Sequence, residues 1–142
     1  MKIVSNQSCT VLGRLLLLLL FTAIFLSPVS AQNSKDGLAA AINQYGNGNF
    51  RQAVIQFREV LLDDQARENH DEALFWLSKT YIALDRLNEA EKNLEMFIQS
   101  YPDHQFIPEA YYQKGRLLYL QREYQSALQV FQGNLEAYPE SP

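Results

Sequence analysis

The stretches Gly48-Asn49-Phe50-Arg51-Gln52-Ala53, Asp85-Arg86-Leu87-Asn88-Glu89-Ala90 and Arg122-Glu123-Tyr124-Gln125-Ser126-Ala127 read as three copies of one phrase. Their alanines stand at 53, 90 and 127, a constant interval of 37 residues. Four places after each alanine comes an apolar or aromatic residue: Phe57, Leu94 and Phe131. A second ladder of small residues, Ala41, Ser78 and Gly115, keeps the same interval. A fixed period of this length means stacked copies of one supersecondary unit, each burying its apolar face on its neighbours.

Each unit holds two segments of helical period. In the second, Leu74, Leu77, Tyr81 and Leu84 recur at steps of three and four, and Leu87, Ala90, Leu94, Phe97 and Ile98 repeat the pattern. That spacing gathers apolar groups on one side of a helix. Short polar turns separate the two segments: Gly46-Asn47-Gly48-Asn49, Asp85-Arg86 and Arg122-Glu123. Turns this short leave the helices antiparallel and touching. Close crossing needs small side chains, which Ala41 with Ala53, Ser78 with Ala90 and Gly115 with Ala127 supply. Pro102 and Pro139, each after a tyrosine, end the second helix of their units, because proline cannot continue a helix. The first unit has Gln65 in that place and a less sharply marked end. Helices are expected over 35–46, 50–63, 70–84, 87–100, 107–121 and 124–137.

These residues resemble the tetratricopeptide repeat, with its large-x2-Leu-Gly-x2-Tyr, Ala-x3-Phe and Pro pattern. The second unit reads Leu74-x2-Leu77-Ser78-x2-Tyr81, Ala90-x3-Leu94 and Pro102; the third reads Tyr111-x2-Lys114-Gly115-x2-Leu118, Ala127-x3-Phe131 and Pro139. The first, Gly37-x2-Ala40-Ala41-x2-Gln44 with Ala53-x3-Phe57, is weaker. Lys114, Ser78 and Gln65 depart from the pattern. The resemblance implies an all-α fold: a right-handed α-solenoid of three antiparallel helix pairs, with repeats near 34–68, 69–105 and 106–142. Ala73 to Tyr81, with Tyr101-Pro102-Asp103, is also similar to repeats of periplasmic envelope proteins of the Tol–Pal-associated and outer-membrane-assembly lipoprotein kinds.

The first 31 residues have the parts of a secretory signal peptide. Lys2 and Arg14 are basic, Leu15–Leu26 is an apolar run interrupted by Thr22, Ser27-Pro28 breaks it, and Val29-Ser30-Ala31 offers a cleavage site before Gln32. The alternative is an uncleaved anchor, but the run is shorter than the ~20 residues that span a bilayer. Cys9 precedes the run and leaves with the leader, so the mature chain has no thiol. Residues 32–142 are expected to form one domain in the periplasm, with no stable membrane anchor. Its 10 basic and 16 acidic residues give a net charge near −6, unsuited to nucleic acid.

The resemblance implies a partner-binding concave stripe on the first helix of each unit: Leu38, Ile42 and Tyr45; Phe75, Lys79 and Ile82; Tyr112, Arg116 and Tyr119. Leu38 and Ile42 read rather as packing residues. Tyr112, Arg116 and Tyr119 read as anchors, since tyrosine and arginine combine contact area with hydrogen bonding. Lys79 and Arg116, one repeat apart, suit a partner's carboxylate, although two solvated charges are the plainer reading.

Catalytic, cofactor-binding and metal sites are not expected. The stretch from Asp63 to Glu72 is acidic, but it lacks the alternating ligands and central glycine of a calcium loop. It reads as a solvated linker whose Asn69 or Asp71 caps the next helix. His70 and His104 each lack a second histidine at ligand spacing. Glu89 and Glu91 lie on a helix surface with no basic neighbour to split their acidities. The expected function is an exported adaptor or scaffold that binds a protein or peptide in a bacterial envelope, and not an enzyme. The alternatives are a self-assembling module or a fragment of a larger envelope protein, and an accessory domain of an envelope enzyme. Leu128, Phe131 and Leu135 on the last helix point to self-association through 124–137 or to a longer parent chain.

Overall fold

The computed structural model describes residues 29–140, with side chains from Asp36 onward. Most of the expected signal peptide, Cys9 included, lies outside the described residues; Val29–Ala31 fall in the first helix. Six α-helices follow in order: α1 (Val29–Gly46), α2 (Phe50–Leu62), α3 (His70–Ala83), α4 (Leu87–Ser100), α5 (Ile107–Leu120) and α6 (Tyr124–Ala137). A 3-10 turn, Asp64–Asn69, links α2 to α3. No strand occurs among the described residues. The helices pack as three consecutive pairs, and α3 and α5 stack on the pair before them. The fold is an all-α solenoid.

The turns inside the pairs repeat as faithfully as the sequence does. Gly48, Asp85 and Arg122, each 37 residues from the next, adopt φ of 77°, 57° and 68°. Beside them, the amides of Asn49, Arg86 and Glu123 donate to the carbonyls of Gln44, Tyr81 and Leu118 at 2.9, 2.9 and 2.8 Å. The amides of Gly48, Asp85 and Arg122 donate to Tyr45, Ile82 and Tyr119 at 3.0, 3.1 and 3.0 Å. This is the Schellman arrangement, which satisfies carbonyls that a helix end leaves open. Only the first turn uses glycine, the residue that takes a positive φ without steric cost. Arg122→Gly is therefore expected to raise stability by about 0.5–1 kcal/mol, partly offset by the greater freedom of glycine in the unfolded chain. Urea unfolding reads the gain; a lower midpoint would mean the turn is not strained.

Both small-residue ladders lie inside. Ala41, Ala53, Ser78 and Ala90 are fully buried, and Gly115 and Ala127 are buried as well. Phe57 and Leu94 fill the space beyond the crossings. In the third pair the ring of Phe131 lies over Gly115, so that a Cβ there would come within 2.4 Å of it. Glycine at this departure-prone position is thus matched to a large ring on the facing helix. Burial is unequal along the array, since Ala127 is the one buried residue among those of α6.

Two expectations for the first linker need correction. It is not simply solvated: Ala66 and Asn69 are buried, and the 3-10 turn packs back on α1 and α2. Asn69 stands at the N-cap of α3 but makes no capping bond, and its Nδ2 has no partner among the protein atoms. Asp71 accepts from the amide of Glu72 at 2.8 Å. Asp63 supplies the stop that proline supplies elsewhere. It leaves helical geometry at φ −84°, ψ 105°, and its carboxylate accepts from the Gln65 amide at 2.9 Å. Aspartate favours such turns because its side chain bonds the backbone two residues on.

Candidate functional site

The nine stripe residues do not share one open surface. Leu38, Phe75 and Ile82 are buried. Leu38 and Ile82 belong to the core between the first two pairs, against which Ile42 and Tyr45 pack. Tyr45 lies edge-on to Trp76 at 5.3 Å and beside Phe50 at 5.5 Å. Phe75 is enclosed by Phe97 at 5.3 Å and Phe106 at 4.8 Å. A helical stripe fixes the direction of a side chain, but the neighbouring unit decides whether it stays open.

Lys79 has a partner within the chain. Its Nζ lies 2.6 Å from Oε1 of Glu109, in the first turn of α5, and 4.4 Å from the centre of the Trp76 ring. The ammonium thus closes the junction between the second and third units. Neither Glu109 nor Trp76 stands on the stripe. Their signal is faint in sequence, because Glu109 is thirty positions away and Trp76 is one step out of phase.

The third unit is different. Tyr112 is 49% exposed and Tyr119 61%, whereas their repeat equivalents Phe75 and Ile82 are 0% and 9%. Arg116, equivalent to Lys79, is exposed, and its Nη1 donates to Gln113 at 2.8 Å. Tyr112 rests on Phe131 at 5.7 Å, and Tyr119 meets Tyr124 edge-on at 5.3 Å across the turn. Two tyrosines and an arginine one helical turn apart therefore present rings, hydroxyls and a forked donor to solvent. Such groups suit a protein surface better than a small molecule.

Other polar groups serve the packing. Lys114, the departure from the family leucine, reaches Glu95 at 3.3 Å, and Gln121 donates to Glu91 at 3.1 Å. Both bonds tie α5 to α4. His104 accepts from the Phe106 amide through Nδ1 at 3.1 Å, approaches Asp71 through Nε2 at 3.4 Å, and packs against Phe97 and Phe106. Glu89 corrects the expectation of two carboxylates without a basic neighbour. It pairs with Arg86, whose side-chain hydrogen bond holds the Glu89 carboxyl below its ordinary pKa. Asp64 is lowered in the same way, through its hydrogen bond to Arg67. Both pairs are exposed and join residues three apart, the arrangement of surface helix pairs rather than of an acid–base site. Among the described residues no cluster of three metal-ligating side chains occurs, and no helix is long and apolar enough to cross a membrane.

The paired helices, the small-residue crossings and the Schellman turns together fit one family of repeats. Residues 72–104 and 109–141 each match the tetratricopeptide repeat family. No curated protein matches the chain. The two matched repeats cover α3 with α4 and α5 with α6, the units whose motifs are fullest. Tetratricopeptide repeats form protein–protein interaction modules, and their fold is in general a non-catalytic scaffold. The first pair shares their turn geometry and their buried small residues.

Proposed function

We propose that the chain is an exported adaptor of a bacterial cell envelope, which holds a protein partner on the open face of its third unit. The observation that carries this reading is the exposure of Tyr112, Arg116 and Tyr119 at positions whose equivalents are covered or paired in the second unit. The leader-like composition of residues 1–31 and the likeness of Ala73–Tyr81 to envelope repeats support the compartment. Export predicts a periplasmic product that begins at Gln32, read by mass spectrometry of the fractionated protein. Full-length protein in the membrane fraction would favour the uncleaved anchor.

Partner capture tests the site. The variant Tyr112→Ala with Arg116→Ala should recover at least about tenfold less partner from an envelope extract, since a few aromatic and arginine anchors carry most binding energy. Its thermal midpoint should stay within a few degrees of wild type, because both side chains are exposed. Unchanged capture would place the binding site elsewhere. A second reading, self-association through α6, is favoured by the exposed Leu128 and Leu135. Sedimentation velocity over a hundredfold concentration range separates it from the adaptor.

A further inference from the structure

Helices α2 and α4 both pack on α3 and leave a groove between them, about 420 Å³ in volume. Leu77 and Tyr81 of α3 lie at its floor, 3% and 5% exposed. Leu62 of α2 and Met96 of α4 stand on its two walls, 81% and 45% exposed. Arg58 on the α2 wall and Lys92 on the α4 wall are exposed cations that enter no ion pair among the described residues. Glu89 also lines the groove, but its carboxylate is already held by Arg86, which lies over the Tyr81 ring at 4.6 Å.

The positions one period on, between α4 and α6, are satisfied within the chain. Glu95 takes the place of Arg58 and Lys114 the place of Leu77, and the two pair at 3.3 Å. Gln129 replaces Lys92 and Gly133 replaces Met96. An ion pair thus runs from floor to wall there, where the first groove has an unopposed cation above a leucine. Clustered exposed apolar groups mark contact surfaces. Further units before the first pair or after the third would stack on the ends of the array and not over this groove.

We propose that the groove between α2 and α4 binds an acidic, amphipathic segment of a partner protein, whose carboxylates reach Arg58 and Lys92 and whose apolar side chain lies over Leu77. The surface is separate from the exposed triad of the third unit and goes beyond the adaptor reading. Charge complementarity selects the occupant. Two unpaired cations flank an apolar floor in a chain with 12 basic and 16 acidic residues. A guanidinium takes a carboxylate through two parallel bonds, and apolar surroundings strengthen the pair. Residues 1–31 of this chain hold Lys2 and Arg14 and no acid, so they would bring like charge to the groove. A lipid surface fits less well, because Leu77 and Tyr81 lie below the rim, out of reach of a flat plane of headgroups.

The test pans the purified chain against a library of short random peptides, and the enriched peptides are synthesised with a fluorescent label. Peptides with acidic residues on both sides of a large apolar residue are expected, and they should bind more weakly as salt rises. Arg58→Gln, Lys92→Gln and Leu62→Ser should each weaken their binding about tenfold. All three side chains are exposed, so thermal midpoints should stay within a few degrees of wild type, and lost binding is then not lost fold. Arg58→Glu should bind a peptide whose acid is exchanged for lysine, which identifies a direct pair. No enrichment of acidic peptides, or binding indifferent to Arg58 and Lys92, overturns the proposal. Cosedimentation with phosphatidylglycerol vesicles that Arg58→Gln abolishes gives the groove to a lipid surface, and a dimer that the same variant dissolves gives it to a second copy; either result also overturns it. Tyr112→Ala with Arg116→Ala should leave peptide binding unchanged. Peptides that follow those two residues instead of Arg58 overturn the groove and leave the adaptor reading standing.

Discussion

Phe97→Ala should cost about 3–5 kcal/mol, enough to leave the array largely unfolded at physiological temperature if its total stability is the usual ~5–15 kcal/mol. Phe97 is fully buried in α4, in the cluster with Leu74, Phe75, Leu94, Ile107 and Ala110. Its ring lies against Phe75 at 5.3 Å, Tyr101 at 5.8 Å and His104 at 5.3 Å. It therefore joins the second helix pair to the linker and to the start of the third. Truncation removes the transfer free energy of the ring and leaves a cavity whose walls belong to several elements and cannot all collapse. Each unit of a stacked array is stable only on its neighbours, so damage at a junction spreads to both sides. Equilibrium urea unfolding by circular dichroism checks this. A shift worth less than about 1 kcal/mol would mean that the second and third units do not share a core.

Ala90→Leu should cost about 1–3 kcal/mol by the opposite route, overpacking. Ala90 is fully buried on α4, and Ser78, its partner in the ladder, is fully buried on the paired helix α3. Ser78 holds its hydroxyl out of the way by donating to the Phe75 carbonyl at 2.6 Å. Both side chains are fully buried where the helices pack, so the three added carbons must push the helices apart. Lys92→Leu, at an exposed place two residues along the same helix, should change stability by no more than about 0.5 kcal/mol. Glu91 would be a poorer control, because it accepts from Gln121 across the junction. Equal melting of the two leucine variants would mean that the ladder is not steric.

Phe97 holds a junction between two units and Ala90 the crossing inside one pair, and both are fully buried packing positions. The exposed triad of the third unit carries no such duty. That separation is what lets Tyr112 and Arg116 be tested for binding without loss of fold.

Local chemistry was enough to place five of the six helices and the turns inside the pairs, whereas the first helix begins at Val29 and not at 35. The 37-residue interval, the helical steps within it and the turn residues specify six helices and three tight reversals, because these depend on nearest neighbours along the chain. Expected ends at 46, 100 and 137 are the observed ones, and those at 63, 84 and 121 lie one residue past them. The Ala41–Ala53, Ser78–Ala90 and Gly115–Ala127 ladders were legible for the same reason: only small groups permit so close a crossing.

Tertiary structure decided which side chains remain available. Phe75 and Tyr112 hold the same place in their repeats, yet one is enclosed and the other half exposed, because α5 and its preceding linker cover only the first. Lys79 and Arg116 are likewise equivalent, but Glu109, thirty residues from Lys79, reaches only that cation. Asn69 looked like a cap and is buried instead, because the 3-10 turn folds it against the first pair. A period describes what each unit is. Burial and pairing depend on what is stacked against it, and so on distances that only the packed array creates.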